Sequence, residues 1–368
     1  MTCCTADPGG RRRFLAAALG AVASACAGPT TAGSAKRERD LARQGVAALG
    51  PIVDPHAHPG GFTRAVNGEL SRAAIEEMRA ASVHCAFFAA VGDGRVIRRE
   101  GGTGPIKNYR DPVADELYRS TIGQLERVRR SGQEGHVRLV RGRADLVRLT
   151  DVPTPSALLA IEGGDPLEGK VERVREFYEL GVRSIQLVHY RVNELGDIQT
   201  EPPRHNRLTD VGAAVIGEMN RLGMVVDGAH AAPATLAGIL AASRTPIIVS
   251  HTGSAELRPR VARHITDDQM RSVAATGGVV GIWPLVRQRP ATLEGFFADL
   301  RHARQVMGVD HVSFATDMTG MAMSTAILTY TEFAAVPAAL LANGFTETEV
   351  RKILGANVLR VIEQSLAA

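Results

Sequence analysis

The sequence predicts an α/β chain folded as a (β/α)8 TIM barrel, with a metal site at the C-terminal ends of its strands. Three observations lead there. Eight short apolar runs recur along the chain, helical patterns separate them, and histidines and carboxylates fall at the ends of the runs.

In chain order a leader comes first. Arg11, Arg12 and Arg13 stand directly before Phe14-Leu15 and an apolar run from Ala16 to Ala25. A positive n-region, a short apolar h-region and an Ala23-Ser24-Ala25 cleavage site together read as an export signal over residues 1–27. Arg12-Arg13-Phe14-Leu15 resembles a twin-arginine signal, which exports proteins already folded. Cys26 follows small residues, so the segment also fits a lipoprotein signal in which a lipid on Cys26 tethers the chain to the membrane. The run is too short and alanine-rich for a membrane span. The expected location is therefore periplasmic, or membrane-anchored on the outer side.

Residues 28–50, polar from Thr30 to Arg43, read as a linker and lead-in helix, and residues 51–368 as the metallohydrolase domain. Hydrophobic residues make up 45% and charged residues 22%, as in soluble globular proteins. Aromatics are only 4%, so aliphatic side chains must fill the core. The net charge of +4 is scattered, with no basic face interleaved with aromatics, which argues against nucleic-acid binding. Cys3, Cys4 and Cys26 lie in the leader. That leaves Cys85, in an apolar run, as a small core residue and gives no disulfide framework.

The candidate strands are Ile52 to Asp54, Cys85 to Val91, Ala157 to Ile161, Ser184 to Val188, Met224 to Asp227, Ile247 to Ser250, Val279 to Ile282, and Val312 to Ala315. Each is short and apolar on consecutive positions, as strands buried on both faces of a parallel sheet must be. Helical patterns lie between them. In Asp210 to Leu222, for example, Val211, Ala214, Val215 and Met219 share one face. Thr346 and Glu349 form a capping box before the run Val350 to Ile362. No glycine-rich phosphate loop follows the first strand, which disfavours a nucleotide-binding sheet. Residues 92–151 are long for one connection and read as an elaboration, with a helix over Asp111 to Arg130 and a hairpin.

His56 and His58 come just after the first strand, spaced so that an extended chain points both rings to one side. Glu162 follows the third strand, His189 the fourth, His230 the fifth, His251 the sixth and Asp317 the eighth. The C-terminal ends of barrel strands are where such folds build active sites. Imidazole nitrogens and carboxylate oxygens are natural zinc ligands. Four histidines and a carboxylate exceed what one zinc with an open position needs, and suit two metals bridged by a carboxylate and a hydroxide.

These residues stand in segments that resemble the renal, or membrane, dipeptidase family, zinc peptidase family M19, within the amidohydrolase-like metal-dependent hydrolases. The matching stretches include Asp54-Pro55-His56-Ala57-His58-Pro59, Ile161-Glu162-Gly163-Gly164 and Leu187-Val188-His189 with Asn193-Glu194-Leu195-Gly196-Asp197. Val226-Asp227-Gly228-Ala229-His230, Ser250-His251, Arg263-His264-Ile265-Thr266-Asp267-Asp268, Asp317 and Ile353-Leu354-Gly355-Ala356-Asn357 follow in order. The resemblance implies a zinc-dependent dipeptidase acting on small dipeptides. His56, Glu162, His230 and His251 would hold two Zn2+ ions, bridged by Glu162 and a hydroxide. His189 would steady the oxyanion and meet the substrate, Asp317 would be general base and acid, and Arg263 would pair with the substrate carboxylate. His58 stands where the family has Asp, so the metal position is kept as His58 but the site becomes one unit less negative. Asp165 stands where the family often has His. Members often dimerise, so a homodimer is expected.

Two alternatives stay open beside the dipeptidase. One is a related dizinc amidohydrolase acting on a lactam, lactone or N-acyl amino acid. The other is a non-catalytic metal-binding surface lipoprotein, which would need neither His189 nor Asp317.

Overall fold

The computed structural model describes residues 49–63, 70–102, 104–284, 293–320, 327 and 329–366. The expected export signal with Cys26, and the expected linker up to residue 48, lie outside the described residues.

Each apolar run forms a strand. They are β1 (Ile52–Ala57), β2 (Val83–Val91), β3 (Ser156–Glu162), β4 (Val182–Gln186), β5 (Val225–Asp227), β6 (Ile248–Thr252), β7 (Val279–Ile282) and β8 (Val312–Phe314). They pair in parallel in sequence order from β1 to β8. The seam between first and last strands closes beyond their ends, through a parallel bridge from Ala57 to Met318. There Asp317 N donates to His56 O (2.9 Å) and His58 N to Met318 O (2.8 Å). The expected (β/α)8 barrel is the fold observed.

Consecutive apolar positions follow from burial on both sheet faces. Along β2, Cys85, Phe87 and Ala89 join Leu158 and Ala160 of β3 in one core cluster, while Ala86, Phe88 and Ala90 belong to the largest cluster. The first cluster also takes Val358, Val361 and Ile362 from the last helix, Asn357–Ser365. That helix touches β1, β5, β7 and β8, strands from opposite sides of the ring, so it plugs the end of the barrel away from the site. Glu162 shares the strand face of Leu158 and Ala160 and so points inward. Cys85 is fully buried in this inner core, and burial pushes its thiol up to about 12.

The outer helices follow their caps. Asp210–Leu222 matches the expected range, with Thr209 Oγ1 accepting from Gly212 N at 3.0 Å and Gly223 ending it. The Thr346–Glu349 capping box is present.

The structure corrects some boundaries. The helix of the 92–151 elaboration is Glu116–Gln133, not Asp111 to Arg130. Asp115 sits at φ 59°, outside helical space, and Glu116 is held by Arg110. The expected hairpin is Ile97–Arg99 with Ile106–Asn108. The run after Thr346 is not one α-helix but Glu347–Arg351, a π turn at Lys352–Ala356, and Asn357–Ser365. Gly355 there lies against the first strand, where an added Cβ would come 2.1 Å from Pro51 O. The fourth strand lies two residues earlier than expected, so Leu187 and Val188 leave the sheet before His189.

Candidate metal centre and active site

The site is built where strands end. His56 lies within β1 and His58 just beyond it. Glu162 is the last residue of β3, and His251 lies within β6. His189, His230 and Asp317 sit on the loops after β4, β5 and β8. All seven are buried, between 1% and 7% exposed. His230 (φ 66°) and Asp317 (φ 47°) adopt left-handed backbone, which costs energy in a residue with a Cβ and often marks functional positions.

One carboxylate gathers the imidazoles. Glu162 Oε1 is 3.2 Å from His56 Nε2, 3.3 Å from His189 Nε2, and 3.6 Å from both His230 Nε2 and His251 Nε2. Its Oε2 is 3.5 Å from His58 Nε2, which lies at the same distance from Asp317 Oδ1. Every ring shows Nε2 to the centre because Nδ1 has a partner behind it. His58 Nδ1 donates to Ala89 O (2.7 Å) and His230 Nδ1 to His189 O (3.2 Å). His189 Nδ1 meets Asp93 Oδ1 at 2.7 Å, and Ser250 Oγ meets His251 Nδ1 at 3.0 Å and His56 Nδ1 at 3.4 Å. Backing contacts of this kind fix the tautomer of metal-ligating histidine.

Charge follows the geometry. Burial works to raise Glu162, but the His189 and His56 rings close to it hold it well below the usual carboxylate range. Burial works to lower His56, yet Glu162, then Asp317 and Asp227, outweighs it and carries the ring up to about 9. His230 and His251 are pushed well below the ordinary imidazole value, first by burial, then by neighbouring cationic groups.

The residues fit a metal. His56 Nε2 is buried and out of line for a hydrogen bond even to Glu162, and no other partner reaches it. His230 Nε2 and His251 Nε2 are 3.0 Å apart, two nitrogens aimed into one space. Three sets place their ligand atoms within 4.8 Å of one another: His56, His58 and Asp317; His56, Glu162 and His251; Glu162, His189 and His230. Glu162 and His56 each serve two sets. His189 is as close to Glu162 as His56 is.

Arg263 flanks this centre. It is 6% exposed, with one guanidinium nitrogen on Gln199 Oε1 and another 3.4 Å from His251 O. Trp283 lies 5.3 Å from its Cζ, and its Nε is buried without a partner. Burial lowers its pKa, and none of the described residues gives it a carboxylate within ion-pair distance.

The structure thus brings together every site residue expected from the sequence. It also adds residues the sequence reading missed. Asp54, Asp93, Asp227 and Ser250 brace the inward-facing imidazoles or the strands that carry them from behind, and Gln199 and Trp283 brace Arg263. A signal existed for two of them: Asp54 and Asp227 are charged residues at the ends of apolar strands, two and three positions before His56 and His230. Asp165 also gains an account. It accepts from Arg191 (3.0 Å) and Asn193 (3.1 Å), tying the loop after β4 to the loop after β3. Burial, with Asp93 nearby, raises its carboxyl to about 7.

Fold and centre together define a (β/α)8 barrel of the metal-dependent hydrolase type. A sequence profile described as membrane dipeptidase, peptidase family M19, matches residues 64–368, and the chain belongs to that family. His56 and His58 precede the matched range. Among curated relatives, dipeptidase tcpJ of Claviceps purpurea (strain 20.1) is 29% identical over 267 residues, covering 70% of this chain and 62% of the relative. Dipeptidase verJ of Clonostachys rogersoniana is 32% identical over 213 residues, covering 56% and 55%. The chain thus spans under two-thirds of these relatives' length. The crystal structure of a metallopeptidase from Rhodobacter sphaeroides, liganded with a phosphinate mimic of the dipeptide L-Ala-D-Ala, shares the fold. Its TM-score is 0.71 at 19% identity, over 86% of this chain and 99% of that one.

Proposed function

We propose that the chain is a dinuclear zinc dipeptidase that hydrolyses small dipeptides. The observation that carries this reading is the convergence of five imidazole Nε2 atoms on Glu162, with Arg263 buried beside them and lacking an anion. His56, His58, Glu162, His230 and His251 would hold the two ions, and a set of nitrogen and oxygen donors suits zinc. Such ions, when bound, polarise a carbonyl and acidify a water.

The chain's own groups do the rest. Arg263 receives the substrate carboxylate in its planar fork, and that anion offsets the buried guanidinium. Asp317, beside His58, takes a proton from the attacking water and returns it to the leaving amine. His189, aimed inward, steadies the carbonyl oxygen as it gains charge.

Metal analysis of purified protein should give about two zinc ions per chain. Gly-Leu hydrolysis should vanish with chelator and return with zinc. A zinc-loaded protein that turns over neither Gly-Leu nor L-Ala-D-Ala would overturn the dipeptidase reading.

His58 favours a second reading. With an imidazole in place of the family carboxylate, the centre is less suited to a free ammonium, so an N-acyl amino acid, lactam or lactone would be the substrate. Assaying N-acetyl amino acids and β-lactams beside the dipeptides separates the two. The leader adds that the enzyme works outside the cytoplasm, tethered through Cys26 if that residue is lipidated. Fractionating cells that express the chain and its Cys26→Ala variant tests this.

A further inference from the structure

We infer that Asp93 is a positioning residue for His189, fixing which ring nitrogen faces the reacting groups. The inference rests on the role proposed for His189.

Asp93 reaches the site through a close approach of two strand ends. Gly92 follows β2 directly, and its N–H donates to Glu162 O at 2.8 Å. An added Cβ at Gly92 would meet Gly163 O at 2.1 Å, so only glycine lets the two segments come this near. The next residue, Asp93, is completely buried. Both of its oxygens are spent on consecutive residues of one loop: Oδ1 lies 2.7 Å from His189 Nδ1, and Oδ2 accepts from Tyr190 N at 2.9 Å. One carboxylate therefore grips the ring of residue 189 and the backbone beside it. This two-point hold removes rotation of the loop and of the imidazole together.

The consequence lies on the far side of the ring. A carboxylate beside Nδ1 requires a proton on that nitrogen, because an ionised carboxylate only accepts. With Nδ1–H committed, Nε2 is the atom presented inward, 3.3 Å from Glu162 Oε1. Asp93 contacts none of the five proposed metal ligands through its side chain. Its influence on the reaction passes through His189, as an orienting carboxylate acts through a histidine in other hydrolases.

Asp93→Asn separates positioning from general support, because the amide keeps one acceptor oxygen for Tyr190 N and turns a donor toward Nδ1. We expect kcat to fall about 10- to 100-fold, the usual cost of losing an orienting partner, with KM and metal content near the parent values. In a His189→Ala background the same substitution should change kcat little, since its route to the reaction is already gone. Equal losses in both backgrounds, or loss of metal, would show Asp93 to be a general structural support and overturn the inference.

A second measurement needs neither the variant nor activity. In the parent protein labelled with 15N-histidine, the ring signals missing from His189→Ala should show a proton on Nδ1, with the low field of a carboxylate hydrogen bond. A ring protonated on Nε2 alone would sink the proposal even if Asp93→Asn fails to fold. If the parent hydrolyses no dipeptide, this spectrum still decides the Asp93 contact, so failure of the function and failure of the inference remain distinguishable.

Discussion

The imidazoles around Glu162 and the aspartates behind them are equally buried, yet their polar atoms are spent in opposite ways. Asp54 has all its capacity engaged: Oδ1 accepts from His56 N (3.2 Å) and Thr316 N (3.1 Å), Oδ2 from Tyr330 OH (3.0 Å) and the Thr316 hydroxyl. Asp227 Oδ1 accepts from Ala229 N (2.9 Å) and Ser250 N (3.0 Å), which ties β5 to β6. In front of them the Nε2 atoms crowd one another and one carboxylate. Burial alone therefore does not tell a ligand from a support. What separates them is whether donors and acceptors close on neighbours or point at a shared space. The front layer needs cations to complete it; the rear layer is complete as it stands.

The sharpest way to break this contrast is at Glu162. Glu162→Gln should lose most bound metal and with it hydrolysis, read by metal analysis and dipeptide assay. If the variant held its full metal, the front layer would not be a ligand set. Asp317→Asn should retain metal but lose about 10²- to 10⁴-fold in kcat, the scale of a lost general base. Metal lost there instead would move Asp317 into the ligand layer, which its set with His56 and His58 makes a real alternative.

Asp54→Asn tests the rear layer. Metal affinity should weaken about 10- to 100-fold, while metal still binds at saturating zinc. An unchanged affinity in competitive titration would mean that Asp54 braces only the fold.

The smallest effect is expected at Asp165, whose carboxyl sits at about 7 in the fold against an ordinary 3.8. The folded state then holds the proton over a range where the unfolded chain has released it. Stability is fully present below about pH 4 and falls as pH rises toward 7. Asp165→Asn removes this slope, so unfolding free energies should shift in the variant's favour as pH rises from 4 to 8. A difference independent of pH in denaturant titrations would refute it.

Much of the barrel was legible because its strands are buried on both faces, and unbroken apolar runs are the direct trace of that. The gathering of His56, His58, Glu162, His189, His230, His251 and Asp317 was legible for a related reason: polar groups that end an apolar strand cannot be ordinary core. Asp93 was not, because its meaning lies in a contact 96 positions away along the chain. The π turn at Lys352–Ala356 escaped for a similar reason, since the helical period continues through it while Gly355 answers to the backbone of Pro51. The late start of the helix at Glu116 depends on Asp115 taking φ 59°, which composition does not announce.

The seam between β1 and β8 sets the order in which the molecule can be completed. Asp54 and Thr316, which lock it, are 262 positions apart. Loop-closure entropy makes contacts at such separation slow to form. A chain emerging from the ribosome can pair β1 with β2 early, but His56 and His58 face Asp317 only after nearly all of the sequence has been made. Until then one edge of β1 is an open strand, the kind of surface on which unfinished chains associate. The centre is thus completed only when residues from the two ends of the barrel chain meet.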